Sequence, residues 1–370
     1  MLVYVLGVLL GLSLMPYAVY CMLYLWTYDC EKRHLRKGSC EPTISLITAT
    51  YNEEKNILRK LQNTFQIDYP SSKMEILVID SSVDKTPTIV EDWTRKYQNM
   101  RLIREERRKG LASALNTGYS QAKAEIVIKS DCDQLLDRNS IRQLISNFSD
   151  SKIGAVSGKQ LLVTSNRNEA GYRSLVDLKR CIENKVDSIY LLEPFSAFRR
   201  DLVEHIDERS VADEAELALK IRRKGYKVMF DPNAYFYESV PSRRLTRLRI
   251  KQRRAQGHIR LILSNLDLLF SRKYDRYGMI VFPLNFYLMI VAPWLFVMMF
   301  SCFPILLEGL LGMNGVITCC VLYFLLAALY VFGWPKVLAG YIDSQLSLLA
   351  GFLNLAAKGP SYLWTREMND

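Results

Sequence analysis

Asp131-Cys132-Asp133 closes a largely apolar run, EIVIKSD over residues 125–131. Two carboxylates one residue apart project to the same side of an extended chain. At a strand end they can share a hard cation, since Mg²⁺ or Mn²⁺ is held by one or two carboxylates together with diphosphate oxygens. The triplet alone also suits a surface turn, so its surroundings must decide. No GxxxxGK[ST] loop is present and no GxGxxG follows a strand, which removes the main support for a kinase, an ATPase or a dinucleotide oxidoreductase. The three histidines, His34, His205 and His258, are too scattered to argue a Ser-His-Asp triad. The eight cysteines include no CxxC pair, so a zinc site is not expected and the large domain reads as reduced and cytosolic.

The elements that must position these residues alternate between strand and helix signals over residues 44–236. ISLITAT (44–50), MEILVID (74–80), a short segment around Leu102-Ile103 and residues 125–131 read as strands. Helical spacing follows over Asn52–Phe65, Thr86–Tyr97 and Leu111–Ala122. This order predicts an α/β domain with a mostly parallel sheet covered on both faces. Ligands then bind beyond the carboxyl ends of the strands, where Tyr51-Asn52-Glu53, Asp80-Ser81-Ser82 and Asp131-Cys132-Asp133 stand.

The chain has 370 residues, 49% of them apolar, and a net charge of +11. Its apolar residues are unevenly placed. Residues 1–28, 277–307 and 309–335 carry no charge, and each run exceeds the roughly 20 residues a helix needs to cross a bilayer. The first run is too long for a signal peptide and reads as an uncleaved anchor. Lys32, Arg33, Arg36 and Lys37 follow it, which puts the N-terminus outside and the large domain in the cytosol, the plasma membrane being the expected site. Glu308 marks the outer loop between the other two spans. Residues 338–358 suit an interfacial or re-entrant helix better than a span, leaving four spans as the alternative to three. Residues 241–275 are strongly basic with interleaved apolar positions and read as amphipathic interfacial helices on the inner leaflet. The basic balance fits a phosphate ligand or anionic lipid, and no nucleic-acid-binding motif is present.

Three blocks together, ITATYNEEKNI, VIDSSVDKT and RKGLASALNTGYSQAKAEIVIKSDCD, resemble the glycosyltransferase family 2 catalytic domain, whose fold is GT-A (nucleotide-diphospho-sugar transferase, Rossmann-like). PFSAFRRDL resembles that family's acceptor-side segment, and VADEAELALKIRRKGYKVMFDPNAYFYESVP the block holding its catalytic carboxylate. The resemblance covers about 40–255, with the catalytic domain over 40–240 and the flanking apolar runs fitting the membrane-integrated branch that includes cellulose and hyaluronan synthases and ceramide glucosyltransferase.

The resemblance implies roles by position. Thr48, Tyr51 and Glu53 fall in the nucleotide-binding loop, and Asp80 would hydrogen-bond the base. Lys109 and Asn116 lie in the stretch lining the diphosphate. Asp131 would reach the ribose or the metal, and Asp133 the metal, Mg²⁺ or Mn²⁺. The catalytic carboxylate position, eleven residues before Gly225, is Glu214, preceded by Asp213; the family's usual order is Glu-Asp. Either can act as general base, and both also suit the first turn of a helix. Processive members carry Gln-x-x-Arg-Trp; here the chain reads Gln252-Arg253-Arg254-Ala255-Gln256, without the Trp. Gln252, Arg253 and Arg254 can still hold diphosphate. The expected activity is transfer of a hexose from a UDP- or GDP-sugar to a membrane lipid hydroxyl or polyprenyl phosphate. A processive polysaccharide synthase is the alternative, and a non-catalytic nucleotide-sugar- or lipid-binding membrane protein a third reading.

Overall fold

The computed structural model describes residues 2–28, 38, 40–163, 167–239, 243–332 and 336–358. Helix α1 (Leu2–Tyr28) leads to an eight-stranded sheet with its helices. In chain order these are β1 (Ile44–Thr50), α2 (Ile57–Thr64), β2 (Met74–Asp80), α3 (Thr86–Thr94), β3 (Met100–Arg104), α4 (Leu111–Gln121), β4 (Ile126–Lys129), β5 (Gln134–Leu136), α5 (Ser140–Ser146), β6 (Ile153–Leu162), α6 (Arg167–Val186), β7 (Ser196–Arg199), α7 (Asp213–Arg223) and β8 (Lys227–Glu238). The sheet order is β3-β2-β1-β4-β7-β6-β8-β5.

Alternation along the strands builds the two sides of the core. Ile44, Leu46, Ile76, Val78, Ile126 and Ile128 pack with Ile57, Leu61, Ile141 and Leu144 of α2 and α5. Ile47, Leu77, Ile79 and Val127 pack with Leu115 of α4 and Leu217 and Ile221 of α7. Gly118 permits the close seating of α4, because a Cβ there would stand 2.6 Å from the Ile47 Cγ2.

The parallel expectation holds for β3-β2-β1-β4 and for β6 with β8, and fails at β7 and β5. Strand β7 lies antiparallel between β4 and β6, and β5 is antiparallel to β8. Ser196 pairs with Lys129, so the chain enters β7 at the edge where β4 ends. The loop before β7 thereby brings Glu193 to that edge. The first helix is also shorter than its spacing suggests: residues 52–56 form a turn, with Asn52 at φ +55, a conformation Asn tolerates better than most residues.

Helix α8 (Arg244–Leu263) is one helix, and part of its apolar face is covered by protein. Ala255 and Ile259 pack against Leu348 of the last helix, and Ile262 joins a cluster with Tyr190 and Tyr277. Leu245 and Leu263, near its two ends, are exposed.

Among the described residues three segments are long and apolar enough to cross a membrane: Gly7–Thr27, Tyr277–Leu311 and Met313–Tyr330. The second contains α9 (Phe282–Phe286) and α10 (Ala292–Leu311), each preceded by a π turn. Pro283 and Pro293 lack the N–H that would close the ordinary helical bond at those points. The break before α11 (Met313–Phe332) falls at Gly312, φ +57, whose N–H bonds Glu308 O at 2.8 Å. Glu308 therefore sits in the last turn of α10, not in the connecting loop. The last helix, α12 (Lys336–Lys358), packs against α8. Lys32, Arg33, Arg36 and Lys37, on which the orientation rests, lie outside the described residues. Glu183 of α6 accepts from Tyr20 Oη at 2.9 Å and from Asn285 Nδ2 at 2.8 Å, joining α1 and α9 to the sheet domain.

Candidate active site

The polar clusters gather where β1, β2 and β4 end. Asp80 is fully buried and accepts from Thr50 Oγ1 (2.7 Å), Ser82 N (3.2 Å), Ser82 Oγ (2.5 Å) and the Arg104 guanidinium. With four protein donors on its oxygens, it braces the loops after β1 and β2. Asn52 adds to the brace, accepting from Val83 N at 3.0 Å and bonding through its own N–H to Ser82 Oγ at 2.7 Å. Tyr51 is covered by the Arg108 guanidinium, 3.9 Å from its ring centre. Glu53 accepts from Asn56 Nδ2 at 2.7 Å.

The turn after β4 is latched from below. Lys60, buried in α2, donates to Ser130 Oγ at 2.5 Å and to Gln134 O at 2.9 Å. Burial lowers its ammonium to about 8. Asp131 N donates to Gln134 Oε1 at 3.1 Å, and Gln134 Nε2 donates to Glu238 at 3.3 Å. Glu238, at the end of β8, also accepts from Gln160 Nε2 at 2.8 Å. The turn thus presents Asp131 and Asp133 at the surface beside a third carboxylate. Asp133 is raised to about 7 by desolvation in this crowded crevice, then by the negative charges of Glu238, Asp131 and Glu53. Among the described residues no three His, Cys, Asp or Glu side chains form a closed metal cage.

Opposite the turn, Asp213 and Glu214 open α7. Both accept from Lys129 Nζ, Asp213 at 2.8 Å, and Asp131 stands 3.8 Å from the same ammonium. Lys129 is 1% exposed on β4. Burial alone would neutralise it, but Asp131, Asp213 and Glu214 hold it charged, well above its ordinary range. Burial would likewise raise Asp213, yet Lys129 holds it below the usual carboxylate range. Glu214 is pushed up to about 7 by burial and by the Asp213 charge. The two acids are thereby distinct: one kept ionised, the other with a proton affinity near neutrality.

Two arginines of α8 complete the wall. Burial, and then the neighbouring Arg254, lower Arg253 to about 10, with Arg108 adding to the effect. Arg254 gains from Glu238, Glu193, Glu214 and Asp131, which outweigh its desolvation and raise it. Glu193 itself is paired to Arg180 at 2.6 Å.

Of the residues singled out in the sequence, Tyr51, Glu53, Asp131, Asp133, Asp213, Glu214, Arg253 and Arg254 gather around this crevice. Thr48 is buried within β1. Lys109 is exposed, and Arg108 beside it takes the place over Tyr51. Asn116 does not line the crevice: its Nδ2 donates to Ile206 O and its Oδ1 accepts from Ile206 N, both at 2.8 Å, which clamps the following loop to α4. Gln252 donates to Ala350 O of α12 at 3.3 Å. Sequence reading missed Lys129, Lys60, Arg108 and Glu238. A lysine inside the run IVIK was the one visible signal, because a buried charge needs partners.

Residues 45–207 match the family described as Glycosyl transferase family 2. A probable glycosyltransferase of Bacillus subtilis, YdaM, is 26% identical over 265 residues, 66% of this chain and 61% of that protein. Poly-beta-1,6-N-acetyl-D-glucosamine synthase of Staphylococcus aureus is 24% identical over 271 residues, 69% of this chain and 63% of that one. The chain thus spans about six-tenths of the length of these curated relatives. The mannosyltransferase PcManGT of Pyrobaculum calidifontis, solved in complex with GDP-Man and Mn²⁺, is 25% identical and superposes with a TM-score of 0.75 over 95% of this chain and 99% of its own. Residues 45–207 are thus a glycosyl transferase family 2 domain, with the GT-A fold that the sheet builds.

Proposed function

We propose that this protein is a membrane-bound inverting glycosyltransferase that moves a hexose from a UDP- or GDP-linked donor to a membrane lipid. One juxtaposition carries the reading. Lys129 bridges Asp213 and Glu214 and stands 3.8 Å from Asp131, so an acceptor-activating acid pair and a diphosphate-binding turn share one crevice. The likeness to a mannosyltransferase holding GDP-Man and Mn²⁺ supports a nucleotide-sugar donor and a divalent cation. The three apolar segments support a bilayer setting, and the basic residues Lys32, Arg33, Arg36 and Lys37 after the first of them support a cytosolic catalytic domain with the N-terminus outside.

Asp131 and Asp133 would hold Mg²⁺ or Mn²⁺. The donor set fits: hard carboxylate oxygens, exposed at a turn, in surroundings negative enough to raise Asp133 to about 7. When bound, the cation neutralises charge on the leaving diphosphate. Arg108, Arg253 and Arg254 face the same crevice and suit phosphate oxygens. Glu214 takes the proton from the acceptor hydroxyl as that oxygen bonds the anomeric carbon and the bond to the diphosphate breaks on the opposite side. A base with an affinity near neutrality suits this step. Asp213 remains ionised and holds Lys129.

The poly-N-acetylglucosamine synthase relatives keep a processive reading open. Single transfer is favoured because Ala255, where processive members place Arg, is 7% exposed and packed on α12 near Gly351. No arginine or aromatic platform for a sugar polymer fits there.

The test is transfer from labelled UDP-glucose, UDP-N-acetylglucosamine and GDP-mannose, with Mg²⁺ or Mn²⁺, in membranes bearing the protein, followed by organic extraction. Label in the lipid phase is expected. Label in ethanol-insoluble polymer favours the processive synthase, and no transfer from any donor counts against the enzyme reading.

A further inference from the structure

A second polar cleft, of about 730 Å³, lies between the C-terminal end of α6, the start of β8 and the segment leading into the Tyr277–Leu311 helix. That volume lies within the range of small-molecule pockets. Five basic side chains line it, Lys152, Arg222, Lys227, Arg272 and Arg276, against two carboxylates. Asp187 is fully engaged, accepting from Arg222 Nη2 at 3.0 Å, Tyr277 N at 3.1 Å and Ser188 Oγ at 3.1 Å. Asp275 is 81% exposed and 3.7 Å from Arg222. Lys152, Lys227 and Arg272 make no ion pair among the described residues, which leaves the cleft a surplus of positive charge. Arg222 forms its inner wall, 4% exposed, with a buried Nε that has no hydrogen-bond partner.

The rim of the cleft has a defined relation to the apolar helices. Arg276 immediately precedes Tyr277, and its guanidinium lies 5.1 Å from the ring centre of Trp26, near the end of the Gly7–Thr27 segment. Met279, one turn into the second segment, is 38% exposed at the same cleft. Trp and Arg at the ends of apolar helices mark headgroup depth. This cleft is remote from the crevice described above: Lys227 opens β8 and Glu238 closes it, and the strand has 12 residues, which separates the two sites by roughly 30 Å.

We propose that this cleft binds the phosphate headgroup of an anionic phospholipid, with Met279 against the start of an acyl chain. The inference rests on the reading that Gly7–Thr27 and Tyr277–Leu311 cross the bilayer. Phosphate oxygens suit the unpaired Lys152, Lys227 and Arg272, and basic groups at the cytosolic surface attract anionic lipid.

The test is native mass spectrometry of full-length protein released from nanodiscs of phosphatidylglycerol mixed with phosphatidylcholine. Wild type should retain phosphatidylglycerol. Lys152→Gln/Lys227→Gln/Arg272→Gln should retain on the order of tenfold less or lower, with its melting temperature in zwitterionic detergent unchanged. Because these three side chains have no ion-pair partners among the described residues, folding should survive; Arg272→Gln alone serves as a milder second variant with a smaller loss in the same direction. Equal retention of both lipids, or of phosphatidylglycerol by wild type and both variants, overturns the proposal. Displacement of the lipid by millimolar inorganic phosphate assigns the site to a free phosphate and also overturns it. Release of the protein from membranes by carbonate would instead defeat the membrane reading. None of these readouts uses a sugar donor.

Discussion

Lys129 closes β4 and reaches Glu214, 85 positions further along the chain, and Asp213 at 2.8 Å. One buried ammonium therefore ties the strand that carries the DxD turn to the helix that carries the acid pair. It compensates two carboxylates that would otherwise repel each other in a dry site.

Lys129→Met is expected to remove that compensation. Leaving the buried carboxylates without their cation should cost roughly 3–5 kcal/mol of stability. Sugar transfer should fall by about 100-fold or more, the scale of losing a positioned acid–base group. Thermal unfolding and transfer rates on the same preparation check both; a variant with wild-type turnover would separate Lys129 from catalysis.

The pH profile follows from Glu214. As a base it must be deprotonated, and its affinity is near 7, so kcat/KM for a hydroxyl acceptor should fall as pH drops below about 7. Asp213→Asn removes a negative neighbour that raises Glu214, so the acidic limb should move to lower pH. Glu214→Gln should abolish the limb and most of the activity. Retained activity in Glu214→Gln points instead to a lipid phosphate as acceptor, which is already ionised and needs no strong base.

Asp131→Asn and Asp133→Asn should each lower transfer by roughly 100-fold or more, the range of lost electrostatic stabilisation of a leaving group. Chelation of divalent cations by EDTA should do the same, with Mg²⁺ or Mn²⁺ restoring wild type alone. Activity that survives both treatments would refute a metal role for the turn.

Lys60 touches the underside of the same turn through Ser130 and Gln134. Lys60→Met should leave those acceptors unpaired, costing about 1–3 kcal/mol, and should raise the donor KM more than it lowers kcat. A KM unchanged with stability lost would limit Lys60 to a structural part.

Asn116 supplies the contrasting case. Because both amide atoms hold the Ile206 backbone, Asn116→Ala should lower the melting temperature, at a cost of about 1–3 kcal/mol, with the donor KM near wild type. A large rise in donor KM would return Asn116 to the diphosphate.

The first four strands and the polar clusters at their ends were legible in the chain, because buried strands read as apolar runs and the Asp131-Cys132-Asp133, Asp80 and Tyr51-Asn52-Glu53 groups follow them directly. The apolar helices were legible for the same reason: their signal is local composition. Their boundary at Gly312 was not, since a charged Glu308 suggests a loop while a backbone turn at positive φ makes one. Nor could the local pattern around Arg243–Lys273 say whether lipid or α12 would cover α8, because either partner accepts the same apolar face. The hydrogen bonds of two residues singled out by position were not legible either. Asn116 and Gln252 have side chains that suit phosphate, yet neighbouring backbone carbonyls engage them first. Above all, the antiparallel turn of β7 and the meeting of Lys129 with Asp213 and Glu214 depend on contacts between distant segments. A lysine in a strand acquires its meaning from the carboxylates packed around it, and only the tertiary structure brings those charges within hydrogen-bond distance.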